Sequence, residues 1–125
     1  MTNYPVADLL IRLKNAALAG RKVVSIDKTK LILAVAKTMK KEKFLDKLEE
    51  KNGKVIATLS IFCKKPVLSD VTIVSRPGLR IYMNVEDMEK RRSPEILIVS
   101  TPNGVMSDRD AIKQRVGGEV IARIL

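Results

Sequence analysis

A chain of 125 residues that is 46% hydrophobic can bury one good core or two small ones sharing an interface, and is too apolar for a disordered tail. Its 24 Lys and Arg against 14 Asp and Glu give a formal net charge of +10, which points to a polyanionic partner, either nucleic acid or an anionic membrane surface. With no histidine and a single cysteine, Cys63, the chain excludes an internal disulfide, His- or Cys-based metal sites, the Ser-His-Asp triad and the Cys-His dyad.

The opening stretch MTNYPVADLLIRLKNA carries Asp8 inside its apolar part and lacks the basic-then-apolar order of a secretory signal. No apolar run reaches the roughly 18 residues of a membrane span, so a cytosolic protein is expected. Val6, Leu9, Leu10, Leu13 and Ala17 fall on one face of an amphipathic helix that Gly20 ends, with Asp8, Arg12 and Asn15 forming a polar stripe opposite. Residues 22–26, KVVSI, read as a short strand, and Ser25, Asp27 or Thr29 can cap the helix that follows. That helix buries Ile32, Val35, Ala36 and Met39, whereas Lys30, Lys37 and Lys41 share a different face as a row of cations. The first 54 residues hold 13 basic and 6 acidic residues, +7 of the total +10, which tilts this row from a merely solvated face towards phosphate contact.

Asn52-Gly53 tolerates the positive φ angles of a type I′ hairpin turn. After it Val55, Ala57, Leu59 and Ile61 alternate with Ile56, Thr58, Ser60 and Phe62 as a strand. Lys64-Lys65-Pro66 breaks the pattern and marks the candidate boundary between two domains, residues 1–65 and 66–125; a strand resumes over residues 67–74. In SRPGLRIY, residues 75–82, Pro77-Gly78 suits the centre of a type II turn. Strand alternation beyond it places Leu79, Ile81 and Met83 on one face and Arg80 and Tyr82 together on the other, open face. A short charged helical turn over residues 84–92 is stopped by Ser93-Pro94, and the apolar strand over residues 95–100 reads as covered on both sides.

The segment STPNGVMSDRD, residues 100–110, then reads as a hydroxyl-and-glycine loop leading into a helix whose N-cap is Ser107, with Asp108 and Asp110 in its first turn. Ser100, Thr101 and Ser107 have no histidine to activate them as nucleophiles, and neither the phosphate-loop nor the dinucleotide glycine pattern occurs. Backbone amides and small hydroxyls at such a place can bind phosphates, 2′-hydroxyls and base edges, with Gly104 allowing close approach. By motif alone, a connecting turn with a capping serine is the simpler reading. Gly117-Gly118 ends the helix, and residues 119–125 form a closing strand.

Three ordered motifs, SRPGLRIY, VSTPNGVMSDRDA (residues 99–111) and GGEV (residues 117–120), together with DLLIRLKNA near the start, resemble the bacterial small-subunit ribosomal protein eight family over nearly the whole chain. The resemblance implies an α+β fold of two small α/β domains, amino-terminal αβαββ and carboxy-terminal mostly β with a short helix. It implies a non-enzymatic structural component of the ribosome, without cofactor, metal or small-molecule substrate. Its partners would be small-subunit ribosomal RNA and neighbouring small-subunit ribosomal proteins, in the cytoplasm or an organelle; some relatives also repress their own operon. Carried over by position, Ser100 and Thr101 sit against the irregular core of an RNA helix, Gly104 and Val105 continue the loop, Tyr82 adds a stacking or hydroxyl contact, and Glu119 accepts hydrogen bonds beside it. The chain departs from the family at Pro102 and Asn103, where serine and lysine are common; Pro102 removes a hydroxyl and a backbone N–H, while its fixed φ holds the loop ready. Arg12, Lys14, Lys30, Lys37, Lys41, Arg76 and Arg80 are the phosphate candidates.

Overall fold

The computed structural model describes residues 5–125, so the front of the opening stretch lies outside the described residues. The chain divides into two compact units, Met1–Asp70 and Val71–Leu125.

In the first unit the elements run α1 (Pro5–Leu18), β1 (Val23–Asp27), α2 (Lys30–Lys41), β2 (Leu45–Lys51) and β3 (Lys54–Leu59), the expected αβαββ order. The three strands form an antiparallel sheet in the order β1-β3-β2. Helix α1 buries Val6, Leu9, Leu10, Leu13 and Ala16; Ala16 takes the place expected of Ala17, which is only half-buried. Gly20 closes α1 with φ of 74°, and the Arg21 N–H donates back to Ala16 O at 2.8 Å. Of the three candidate caps for α2, Thr29 is the one used: its hydroxyl accepts from Ile32 N at 3.1 Å. Thr29→Ala is expected to cost about 1 kcal/mol of unfolding free energy, read from urea titration of the full chain.

The Asn52-Gly53 turn, at φ of 51° and 74°, joins β2 to β3 and sets Lys51 opposite Lys54. Strand β2, LDKLEEK, carries too little apolar alternation to be read alone and is legible only as the other half of this hairpin. On β3, Val55, Ala57 and Leu59 are buried, whereas Ile61, beyond the end of the strand, is exposed. The ladder breaks at Ser60, whose N–H turns to Phe44 O at 3.0 Å. Beyond it, β4 (Ile61–Phe62) and β5 (Lys65–Pro66) pair as a separate two-stranded hairpin. The alternation of β3 therefore outruns its partner strands, and Ile61 leaves the core with the hairpin.

The second unit contains β6 (Val71–Ile73), β7 (Tyr82–Met83), α3 (Val85–Lys90), β8 (Ile96–Thr101), β9 (Gly104–Ser107), α4 (Asp108–Gln114) and β10 (Gly118–Ile124). Its antiparallel sheet runs β6-β10-β8-β9, with β7 on the same edge of β10 as β6. The strand expected over residues 67–74 is shorter, because residues 67–70 belong to the first unit and only 71–73 reach β10. Residues 74–81 leave the edge as a loop, closed by a reciprocal Arg76–Leu79 pair of backbone hydrogen bonds at 2.9 Å around Pro77-Gly78. Gly78 sits at φ of 89°, as a type II turn requires. Since strand geometry begins only at Tyr82, Leu79 is exposed rather than buried. Strand β8 is buried through Ile96, Leu97, Ile98 and Val99, as its unbroken apolar run predicts. Met88, Val99, Met106, Ala111 and Val120 close the core beneath α3 and α4.

Candidate RNA-binding surface

The segment expected to be a loop at residues 100–105 is the end of a β-hairpin. Thr101 pairs with Gly104, Ser100 with Val105 and Val99 with Met106, leaving only Pro102-Asn103 at the tip. Proline and glycine signal a break in the chain, but Pro102 at the first corner and Gly104 just past the second are compatible with a tight hairpin. Gly104 serves here through its φ of 115°, because a Cβ at that position would meet nothing within 4 Å; close approach is not its role in the fold. Thr101 is nearly buried, its hydroxyl donating to Gly104 O at 2.8 Å and accepting from Asn103 N at 3.1 Å. Asn103 Nδ2 donates to Gln114 Oε1 at 3.2 Å, tying the tip to α4. Ser107 is fully buried and spends its hydroxyl on the cap, accepting from Asp110 N at 3.3 Å.

Three motifs far apart in the chain converge through strand register. Glu119 stands opposite Tyr82 on one side and Ser100 on the other, and Ser100 stands opposite Val105, so Tyr82, Glu119, Ser100 and Val105 form one row across β7, β10, β8 and β9. Directly opposed residues project to the same side of a sheet. The next row, Val99, Met106 and Val120, projects into the core, which leaves the Tyr82 row on the other face. Tyr82 is 68% exposed, and among the described residues no hydrogen bond engages the hydroxyls of Tyr82 or Ser100.

Arg80, grouped with Tyr82 from the sequence, does share this surface, but its guanidinium is held by Glu119 Oε2 at 3.0 Å. Within the fold Glu119 accepts from Arg80. The turn that carries Arg80 is pinned by Ser75, whose buried hydroxyl accepts from Ile81 N at 2.9 Å and donates to Ile81 O at 3.2 Å. Nothing in the sequence distinguishes this serine from a surface one. Asp108 likewise reads in the sequence only as a first-turn carboxylate. In the fold it is buried, its Oδ1 accepting from Leu97 N at 3.2 Å and its Oδ2 from Arg91 Nη1 at 3.1 Å, so that it locks α4 to β8.

The remaining cations are dispersed. Arg76 is exposed on the turn before Arg80. In the first unit Arg12 pairs with Asp8 at 3.3 Å, and Lys14 pairs with Asp70 at 2.9 Å. Lys30, Lys37 and Lys41 are all exposed along α2, and Lys30 and Lys37 make no ion pair among the described residues. Among those residues no group of three or more His, Cys, Asp or Glu could hold a metal ion, and no helix is long and apolar enough to cross a membrane.

The chain is thus a small, strongly basic α+β protein that displays hydroxyl, aromatic and carboxylate groups in one row. The chain belongs to the Ribosomal protein S8 family, whose model matches residues 4–125. It is 44% identical to small ribosomal subunit protein uS8 of Ectopseudomonas mendocina, covering 96% of this chain and 95% of that protein. It is 40% identical to uS8 of Roseiflexus castenholzii, over 98% and 97% of the two chains, and 35% identical to that of a Synechococcus strain, over 98% and 97%. This is a family of structural ribosomal proteins and not of enzymes.

Proposed function

We propose that this protein binds small-subunit ribosomal RNA directly, helps assemble and stabilise the RNA region it occupies, and works in the cytoplasm as part of the small ribosomal subunit beside other ribosomal proteins. The observation that carries this reading is the single row that joins Tyr82, Glu119, Ser100 and Val105 at the root of the Thr101–Gly104 hairpin end. An exposed ring for stacking, free hydroxyls for 2′-hydroxyls and base edges, and a carboxylate acceptor recognise an irregular RNA structure by shape. Pro102 and Asn103 form the tip, and Thr101 and Ser107 act from within, holding the hairpin and α4 in place. The lysines of α2, Arg76 and the other surface cations add attraction that falls with salt and ignores sequence. The second unit is the RNA-recognising one on this reading.

Tyr82→Ala is expected to weaken binding to small-subunit ribosomal RNA by about 1–3 kcal/mol through loss of stacking, with little change in protein stability because the ring is exposed. Filter binding of the full chain across a salt series, against small-subunit ribosomal RNA fragments and a scrambled control, checks the affinity, and urea unfolding checks the stability. Equal affinity for the cognate and scrambled RNA would refute the function.

A further inference from the structure

The β4–β5 hairpin is not used by the surface described above. Phe62 lies on it with 74% of its area exposed, the largest exposure of any large hydrophobic side chain among the described residues. Its turn is made by Cys63 and Lys64 at φ of 52° and 66°, two consecutive side-chain-bearing residues in the left-handed region that glycine or asparagine usually occupies. A conformation of this kind persists only when its surroundings hold it, and such residues gather at functional places. The base of the hairpin is closed by the Val67 N–H donating to Ser60 O at 2.9 Å.

Register places Phe62 directly opposite Lys65, so ring and ammonium project to one face, while Ile61 and Pro66 project to the other. Lys64 and Lys65 are exposed and form no ion pair among the described residues, and residues 51–69 contain no acid. Exposed Ile61 lies on the face opposite the ring, whose own cross-strand neighbour is Lys65, so the two do not join into the apolar patch of a protein interface. A ring flanked by unpaired cations on a short hairpin is well suited to a single-stranded nucleotide, whose base stacks while its phosphates meet the charges.

We infer that the β4–β5 hairpin is a second RNA contact, in which Phe62 stacks on an unpaired base and Lys64 and Lys65 hold the adjoining phosphates. This rests on the RNA-binding reading above. The test measures affinity and hydroxyl-radical footprints of the full chain on small-subunit ribosomal RNA fragments. Phe62→Ala and Phe62→Leu weaken binding about tenfold and Phe62→Trp restores it, because stacking needs a ring and not merely an apolar group. Lys64→Ala with Lys65→Ala lowers the slope of log affinity against log salt by about two. The nucleotides deprotected by Phe62→Ala differ from those deprotected by Tyr82→Ala. If the wild-type chain prefers its ribosomal RNA but Phe62→Ala binds and protects like wild type, the hairpin contact is overturned while the function stands. Rescue by leucine as complete as by tryptophan overturns the stacking assignment, because an apolar group without a ring would then suffice for the RNA contact. Absence of any preference in the wild-type chain overturns both.

Discussion

Gly118→Ala is expected to destabilise the protein by at least about 3 kcal/mol and to abolish selective RNA binding. In the sequence, Gly117-Gly118 looks like a helix stop. The helix in fact ends at Gln114, and Arg115 takes the left-handed C-cap position at φ of 59°. What demands glycine is contact: a Cβ on Gly118 would drive into the Ser100 carbonyl oxygen, and it would lie 2.9 Å from Ser100 C and 3.1 Å from Thr101 Cα. All of these are backbone atoms of β8, so no side chain can swing aside to make room. Gly117 is nearly as confined, 2.7 Å from Met83 O. Relief would come only by prising β10 from the end of β8, which is where the Tyr82–Glu119–Ser100–Val105 row is assembled. Gly20→Ala is the control, since Gly20 also has a positive φ, 74°, but nothing within 4 Å of a Cβ, and its cost is expected to be about 1 kcal/mol. Urea midpoints at constant m-value report both variants. A Gly118→Ala loss no larger than that of Gly20→Ala would show that close approach is not the reason for the glycine.

Asp108→Ala should cost about 3–4 kcal/mol, the range for removing one partner of a mostly buried ion pair. The side chains of Arg91 and Asp108 are 17% and 10% exposed, so screening by solvent is small. The variant leaves the Arg91 guanidinium with only the Glu95 carbonyl at 3.4 Å, and it deprives the Leu97 N–H of its acceptor. Asp108→Asn retains an oxygen for Leu97 and is expected to fall between wild type and alanine. Replacing both partners, Arg91→Met with Asp108→Leu, is expected to lose less than Asp108→Ala alone, because no uncompensated charge remains. Thermal and urea unfolding of the three variants separates these contributions. If the double replacement is as unstable as Asp108→Ala, the cost lies in the lost acceptor of Leu97 N–H or in packing of α4 and not in the orphaned cation.

Both variants act on how β8 is held, Gly118 at its carboxy-terminal end against β10 and Asp108 near its start at Leu97. Ser75 does this for the neighbouring segment, so three residues with no direct place in the displayed row fix its geometry: Ser75 from the 74–81 loop, Gly118 from β10 and Asp108 from α4. On the RNA-binding reading proposed above, the groups offered to RNA are few, and their fit to one RNA shape would depend on backbone that does not give way.

Much of this architecture was legible before folding was considered. The heptad-like spacing of Leu9, Leu10 and Leu13, the alternation of Val55, Ala57 and Leu59, the Asn52-Gly53 turn and the capping Ser107 each encode a local period or a local hydrogen bond, and each needs only a few neighbouring residues. The hairpin at Ser100 to Val105 was misread because Pro102 and Gly104 punctuate a loop and a two-residue tip in the same way. The strand expected to run through Ile61 ends at Leu59, because alternation alone does not state where a partner strand ends.

The sequence by itself determined the helices and most of the strands in their order, the buried faces of α1 and α2, the cationic excess and the exclusion of histidine- and disulfide-based chemistry. Only the tertiary structure decided that Tyr82, Glu119 and Ser100 share a row, that Glu119 holds Arg80, and that Gly118 is needed for contact and not for a turn. The physical reason is that period and capping act within a few residues of the chain, whereas register between strands distant in sequence is set by how whole faces pack, and one residue of slip would turn every member of the row to the opposite side.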